Sequence, residues 1–158
     1  MSVKYILYNP LSCNGKGTEL AKKLAEIYKD DELKYCNMTQ ISGYGTFFDS
    51  ISPESDIVLC GGDGTLNRFI NDSDGYPYEN PLYYYGTGSG NDFLRDLGME
   101  QGCEPVRINE YVRNLPIVTV NGKSSRFINA IGYGIDGYCC EKGDELREKA
   151  DKLYIYCG

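Results

Sequence analysis

The sequence predicts an α/β fold, an open and mostly parallel sheet with helices on both faces. Three observations predict it. Short apolar runs alternate with helix-length amphipathic stretches, Gly-rich turns follow three of those runs, and Asp56–Cys60 (DIVLC) is as continuously apolar as a central strand covered on both faces must be. At 158 residues, with 41% hydrophobic and 25% charged residues, the chain holds one ordinary core and is too short for two.

The elements come in this order. Val3–Tyr8 reads as a first strand, and 18–29 as an amphipathic helix with Leu20, Leu24, Ile27 and Tyr28 on one face and Thr18 as its cap. Residues 33–38 give a second strand, 44–51 a weak helix blurred by Gly43 and Gly45, and 56–60 the buried third strand. A helix carrying Leu66, Phe69 and Ile70 comes next, then a strand at 82–85 and a short helix at 93–97. Strands at 106–108 and 116–121 come after it, and Asn121-Gly122 is a two-residue hairpin signal that joins 117–120 to 125–131 as an antiparallel pair. Residues 138–153 read as a charged helix. The change from βα alternation to a hairpin divides the chain into an α/β domain at 1–122 and the start of a second lobe at 123–158. The apolar end at Gly158 reads as truncation before that β-rich second lobe.

Composition excludes several chemistries. The chain has no His, so Ser-His-Asp and Cys-His catalysis and His-ligated zinc are not available to it. Its net charge of −7, with no basic stripe, excludes nucleic acid as a partner held by phosphate neutralisation. Seven cysteines without a C-x-x-C pair, behind an N-terminus that lacks a signal peptide, read as reduced thiols of a cytoplasmic protein. No apolar run is long enough to cross a bilayer.

The chemistry gathers in the glycine loops. In an open parallel sheet, loops at the carboxyl ends of strands share one crevice. Glycines there let backbone N–H groups approach a phosphate, and a helix N-terminus adds a favourable dipole. The first loop, Asn9-Pro-Leu-Ser-Cys-Asn-Gly-Lys-Gly17, offers Ser12 and Asn14 as donors; Pro10 stands where a Walker A loop has its first Gly, and a plain turn fits the spacing equally well. The second, Cys60-Gly-Gly-Asp-Gly-Thr65, sets Asp63 among three glycines. Such a carboxylate either bridges to phosphate through Mg²⁺ or caps a helix. The third, Gly86-Thr-Gly-Ser-Gly-Asn-Asp92, brings Ser89, Asn91 and Asp92 to the same edge, with Asp92 a cap, a metal contact, or both. Gly132-Tyr-Gly134-Ile-Asp-Gly137 spells G-x-G-x-x-G but leaves no room for the rest of a dinucleotide unit.

Residues 61–65 (GGDGT) resemble the hallmark of a superfamily that holds diacylglycerol, sphingosine and NAD kinases and phosphofructokinases. Asn9-Pro-Leu-Ser12 with Gly15 and Gly17, Gly88-Ser-Gly-Asn-Asp-Phe93 with Arg95, and Phe127–Asp136 are similar, in order, to the remaining segments of the diacylglycerol kinase and sphingosine kinase-like lipid kinases. NAD kinases lack the first and second of these.

The resemblance implies a lipid kinase with ATP as co-substrate, Mg²⁺ as cofactor and a lipid acceptor at a membrane surface, peripheral there if it acts on diacylglycerol. It implies nucleotide contacts at Asn9, Pro10, Leu11, Ser12, Cys13, Thr39, Gly61, Gly62, Asp63, Gly64, Thr65, Asn67, Gly88, Ser89 and Asn91. It places Mg²⁺ at Asp63 and Asp92, with Asp63 as the catalytic base in some members and a later D-G-E segment in others. The competing expectations are a soluble acceptor, as in NAD kinases, and an inactive nucleotide-binding remnant. A homodimer is compatible with all three. Cys13 departs from the family's Gly, Gly86 from its Pro, and Arg68 from a common Glu. These departures and the missing D-G-E segment lead to the expectation that the chain alone has little or no activity.

Overall fold

The computed structural model describes residues 2–131 except 77, 89, 101 and 103, and beyond them residues 134, 138, 142 and 145. The chain divides into two compact units, residues 1–128 and 129–158, and the first holds both sheets. In the second, the Tyr138 amide donates to the Gly134 carbonyl at 3.0 Å and Lys142 pairs with Glu145. The rest of the helix expected at 138–153, and most of the G-x-G-x-x-G run, lie outside the described residues.

The main sheet runs in the order β2-β1-β3-β4-β5. Its strands are β1 (Val3–Tyr8), β2 (Glu32–Asn37), β3 (Asp56–Gly61), β4 (Leu82–Gly86) and β5 (Val106–Arg107). The first four are parallel, while β5 pairs with β4 antiparallel at the edge, Tyr83 opposite Arg107 and Tyr84 opposite Val106. The sequence expectation of an open, mostly parallel sheet is met.

Between the strands lie α1 (Ser12–Gly15), α2 (Gly17–Lys22), α3 (Leu24–Ile27), α4 (Tyr44–Asp49), α5 (Asp63–Asp72), α6 (Asp92–Asp96) and α7 (Asn109–Val112). The helix expected at 18–29 is thus two pieces. It starts at Gly17 rather than behind a Thr18 cap, and no side chain caps it. The α7 turn has no counterpart among the sequence expectations. Its Asn109 is buried where the side chain accepts from the Leu82 amide at 2.8 Å and donates to the Asn80 carbonyl at 3.0 Å, satisfying backbone groups at the start of β4.

Side chains alternate across the sheet, and each face finds its own cover. From β3, Ile57 and Leu59 join Leu66, Phe69 and Ile70 of α5 and Phe93 and Leu94 of α6, whereas Val58 and Cys60 join Ala21 and Leu24 of the first helices. Ile57, Val58, Leu59, Leu66 and Phe69 are fully buried, each contributing on the order of 1.5–3 kcal/mol of hydrophobic stabilisation. The layers are therefore helix, sheet, helix. A separate hairpin joins β6 (Ile117–Val120) to β7 (Lys123–Arg126) through Asn121 and Gly122, whose φ of 52° and 76° make the two-residue turn that matches strand twist. The second strand ends at Arg126, short of the expected 131.

At the amino ends of the strands Lys4 is buried between Asp56 and Asp31, over the Tyr28 ring. Burial pulls its ammonium pKa down, but the hydrogen bond and charge of Asp56, with Asp31 behind, outweigh it and leave the pKa raised. Burial also pushes the Cys60 thiol and the Tyr78 phenol up to about 12, and the Tyr44 and Tyr84 phenols higher still. In each case the folded chain holds its proton more tightly than the unfolded chain. The resulting stabilisation is complete below the unfolded values, about 8.5–10.4, and is lost as pH climbs toward the folded ones. Urea midpoints measured at pH 7, 9 and 10.5 should fall steeply over the last interval, and Tyr84→Phe should flatten that fall; equal midpoints throughout would contradict this.

Candidate functional site

Three loops leave the carboxyl ends of β1, β3 and β4, adjacent strands of one parallel sheet, and meet at one edge. The backbone sets the first of them. After Pro10, the Ser12 amide and hydroxyl both return to the Asn9 carbonyl, at 3.1 and 2.7 Å, while the Asn9 side chain accepts from the Leu11 amide at 3.0 Å. Cys13, Asn14 and Gly15 then run left-handed, with φ of 55°, 57° and 81°. That is the backbone a glycine tolerates without strain, so Cys13 sits in a conformation unfavourable to a side chain. Its thiol compensates by reaching the Thr87 carbonyl of the third loop at 3.1 Å. Gly17 has no room for a side chain, since a Cβ there would lie 1.9 Å from the Asn9 carbonyl oxygen.

The second and third loops touch backbone to backbone. A Cβ on Gly88 would lie 2.6 Å from the Gly62 Cα, and one on Gly62 3.1 Å from the Gly88 Cα. The Thr87 amide donates to the Gly61 carbonyl at 2.8 Å, where the buried Tyr84 hydroxyl also donates at 3.2 Å. Gly61 is itself packed under Thr65, whose Cβ would stand 2.5 Å from a side chain there. No side chain caps α5, so its N-terminal amides face the edge without a protein acceptor of that kind.

Asp63 does more than the sequence expectation allowed for. Its carboxylate reaches across to α6, accepting from the Asp92 amide at 2.8 Å and the Phe93 amide at 3.4 Å. It is a helix cap, as one expectation had it, but for the helix of the third loop rather than its own. The Asp92 carboxylate accepts from Arg95 at 2.9 Å, and Arg95 also donates to the Gly90 carbonyl at 3.1 Å. The two carboxylates flank Gly90, where a Cβ would lie 3.7 Å from Asp63 Oδ2 and 3.9 Å from Asp92 Oδ2. Asn91, left-handed and buried, donates to the Gly88 carbonyl at 2.6 Å. Its Oδ1, like that of Asn67 one helical turn beyond Asp63, is buried without a donor.

Among the described residues no three His, Cys, Asp or Glu side chains cluster as a metal cage would need. The carboxylates of Asp63 and Asp92, both beside Gly90, are instead oxygen donors of the kind a hydrated Mg²⁺ takes, keeping its waters and sharing substrate oxygens. The residues present fit that ion.

The structure thus brings together Asn9, Pro10, Leu11, Ser12, Cys13, Gly61, Gly62, Asp63, Gly64, Thr65, Asn67, Gly88, Asn91 and Asp92 on the three loops and the helix behind the second. Ser89 lies outside the described residues. Thr39 stands one strand further out, after β2, and its amide and hydroxyl both turn to Asn37 Oδ1 at 2.9 and 2.8 Å. Arg68 does not confront the carboxylates: its guanidinium pairs with Asp72, one turn down the exposed face of α5. Thr87, which ties the first and second loops to the third, is a residue that sequence reasoning misses. Its only signal is a place between two glycines directly after a strand.

The order of strands, the two helical layers and the edge of converging glycine loops define an α/β domain whose loops gather at the sheet's carboxyl edge, the edge at which open parallel sheets bind their ligands. Residues 4–120 match the diacylglycerol kinase catalytic domain family, and the chain belongs to it. It is 32% identical over 141 residues to a diacylglycerol kinase of Bacillus subtilis (strain 168), an alignment covering 82% of this chain and 45% of that protein. The chain therefore spans about half the length of the curated relative it matches. The lipid kinase family expected from the motifs is the family found. Among the described residues no helix is long and apolar enough to cross a membrane.

Because Gly62 and Gly88 leave no room between them, Gly88→Ala should push the second and third loops apart and lower stability by about 1–3 kcal/mol. Chemical denaturation would measure it, and a loss below about 0.5 kcal/mol would show that the loops are not packed as described.

Proposed function

We propose that this chain binds Mg·ATP at the three-loop edge, and that the whole protein transfers the γ-phosphoryl group to a lipid hydroxyl such as that of diacylglycerol. The observation that carries the reading is the meeting of the three glycine loops, with Asp63 bridging two of them.

Each residue has work under this reading. The left-handed turn at Cys13–Gly15 and the open N-terminus of α5 present backbone N–H groups to phosphate oxygens, which favour both the donors and the positive end of the helix dipole. Asp63 and Asp92 would hold Mg²⁺ and its waters. The bound ion supplies neutralisation of the phosphate charge. Asp63 also holds the third loop in register with the second, so positioning and charge neutralisation rest on one side chain.

Gly64 supports the reading independently. It lies in the first turn of α5, is exposed, and a Cβ on it would meet nothing within 4 Å. Packing gives no reason for a glycine where alanine would favour the helix. Close approach of a ligand does.

Calorimetry with Mg·ATP tests nucleotide binding, and labelled ATP with a lipid extract tests the acceptor through the solubility of the product. Absence of Mg·ATP binding sinks the proposal, and a water-soluble product favours the soluble-acceptor reading instead.

Two substitutions sharpen this. Gly64→Ala should raise the unfolding free energy by about 0.5–1 kcal/mol while weakening Mg·ATP roughly tenfold or more, a loss of about 1.4 kcal/mol. A stabilised variant with unchanged affinity would separate Gly64 from the ligand. Asp63→Asn keeps an acceptor for the Asp92 amide, so the fold should survive, while transfer by the full-length protein falls on the order of 10²–10³-fold. Near-normal turnover would remove Asp63 from the chemistry.

A further inference from the structure

We propose that Asn71 is a positioning residue, whose side-chain amide latches β7 onto the helix that begins at Asp63 and so holds the end of the hairpin on the loop-bearing unit. The amide behaves as a short piece of strand. Its Nδ2 donates to the Arg126 carbonyl at 3.0 Å, and its Oδ1 accepts from the Arg126 amide at 2.8 Å, a two-point contact across 55 residues of sequence. The second Nδ2 proton goes to the Asn67 carbonyl at 2.9 Å, which sets the rotation of the amide. The side chain of Arg126 completes the latch, donating from Nε to Asp74 at 2.8 Å and from Nη1 to the Leu115 carbonyl at 3.2 Å. Both ends of the hairpin, Leu115 before β6 and Arg126 at the end of β7, are thereby gathered at the far end of α5.

The hairpin needs such a fixture. A two-stranded ribbon is marginal by itself, and this one exposes Ile117 and Val120 rather than burying them. Apolar burial holds only its ends, where Leu115 and Ile128 pack against the core, so the strands between them depend on directional hydrogen bonds. Only an amide serves at position 71: aspartate lacks the donor for the Arg126 carbonyl, alanine lacks both groups, and glutamine is a methylene too long.

Asp63, Asn67 and Asn71 recur every four residues and share one face of α5. Ile128, two residues past Arg126, is the last residue of the first unit. The latch therefore ties β7 to the same helix that carries the Asp63 carboxylate. The catalytic consequence rests on the proposed function: by holding residues 123–128 on the helix that carries Asp63, Asn71 acts on transfer and not on nucleotide affinity.

The test uses the full-length protein, wild type and Asn71→Ala, with hydrogen exchange, calorimetry with Mg·ATP, and kcat and KM for lipid phosphorylation measured on the same preparations. Amides of 123–128 in the variant should exchange at least tenfold faster, while those of β1 and β3 keep wild-type protection. The Mg·ATP dissociation constant should stay within twofold while kcat falls at least tenfold. Asn71→Asp should behave like alanine. Should Asn71→Ala fail to fold, Asp74→Ala, which removes the acceptor of the Arg126 guanidinium at an exposed position, takes its place with the same expected order of effects. Unchanged exchange at 123–128 overturns the latch. A fall in kcat that merely tracks lost Mg·ATP affinity overturns the positioning role. A wild type that neither binds Mg·ATP nor transfers phosphate overturns the functional reading and the catalytic consequence with it, while exchange still decides the latch.

Discussion

The carboxylate of Asp63 accepting from the amides of Asp92 and Phe93 is the contact on which the site depends. Without it no side chain would join the second loop to the helix that follows the third. With it, the start of α5 and the start of α6 become one rigid edge, closed by the glycine contact between residues 62 and 88 and by the Thr87 amide on the Gly61 carbonyl. A charge-assisted bond to backbone N–H groups is about twice as strong as a neutral one. It also leaves the carboxylate with lone pairs to spare, so one side chain can be both a structural cap and a ligand. The two readings of Asp63 that the sequence left open are thus compatible.

Much of this was legible in the sequence, and the reasons are physical. The alternation of Ile57 and Leu59 with Val58 and Cys60 could be read as a strand covered on both sides because two helical layers require two apolar faces. The hairpin could be read because Asn121-Gly122 is one of few pairs that accept two successive positive φ values. The loops could be read because glycine runs after strands have few purposes. What was not legible depends on tertiary partners. No local signal says that Asp63 caps a helix 29 residues away, that Arg68 turns to Asp72, or that Asn109 serves the backbone of β4. The antiparallel sense of β5 is likewise decided by its pairing with β4, since its two residues have no periodicity of their own. The break of the first helix into Gly17–Lys22 and Leu24–Ile27 follows no Pro or Gly, and the structure offers no cause for it.

The first loop shows how a departure from a family pattern is absorbed. The position where relatives of this kind carry glycine is left-handed here, and Cys13 adopts that backbone despite its side chain. The thiol is then held by the Thr87 carbonyl, so the substitution exchanges conformational ease for an added tie between loops. A valine or isoleucine could not make the same exchange, because it would meet the strain with no donor for the Thr87 carbonyl.

The ends of the main sheet carry a consequence for self-association. On one side β5 is two residues long and ends in Arg107; on the other, β2 presents Glu32 and Lys34, paired with each other along the strand. Neither border offers the long, flat, uncharged template that strand addition requires. Among the described residues, both borders thus disfavour extension of this sheet by a second copy, and the carboxyl-edge crevice is left clear of that form of pairing.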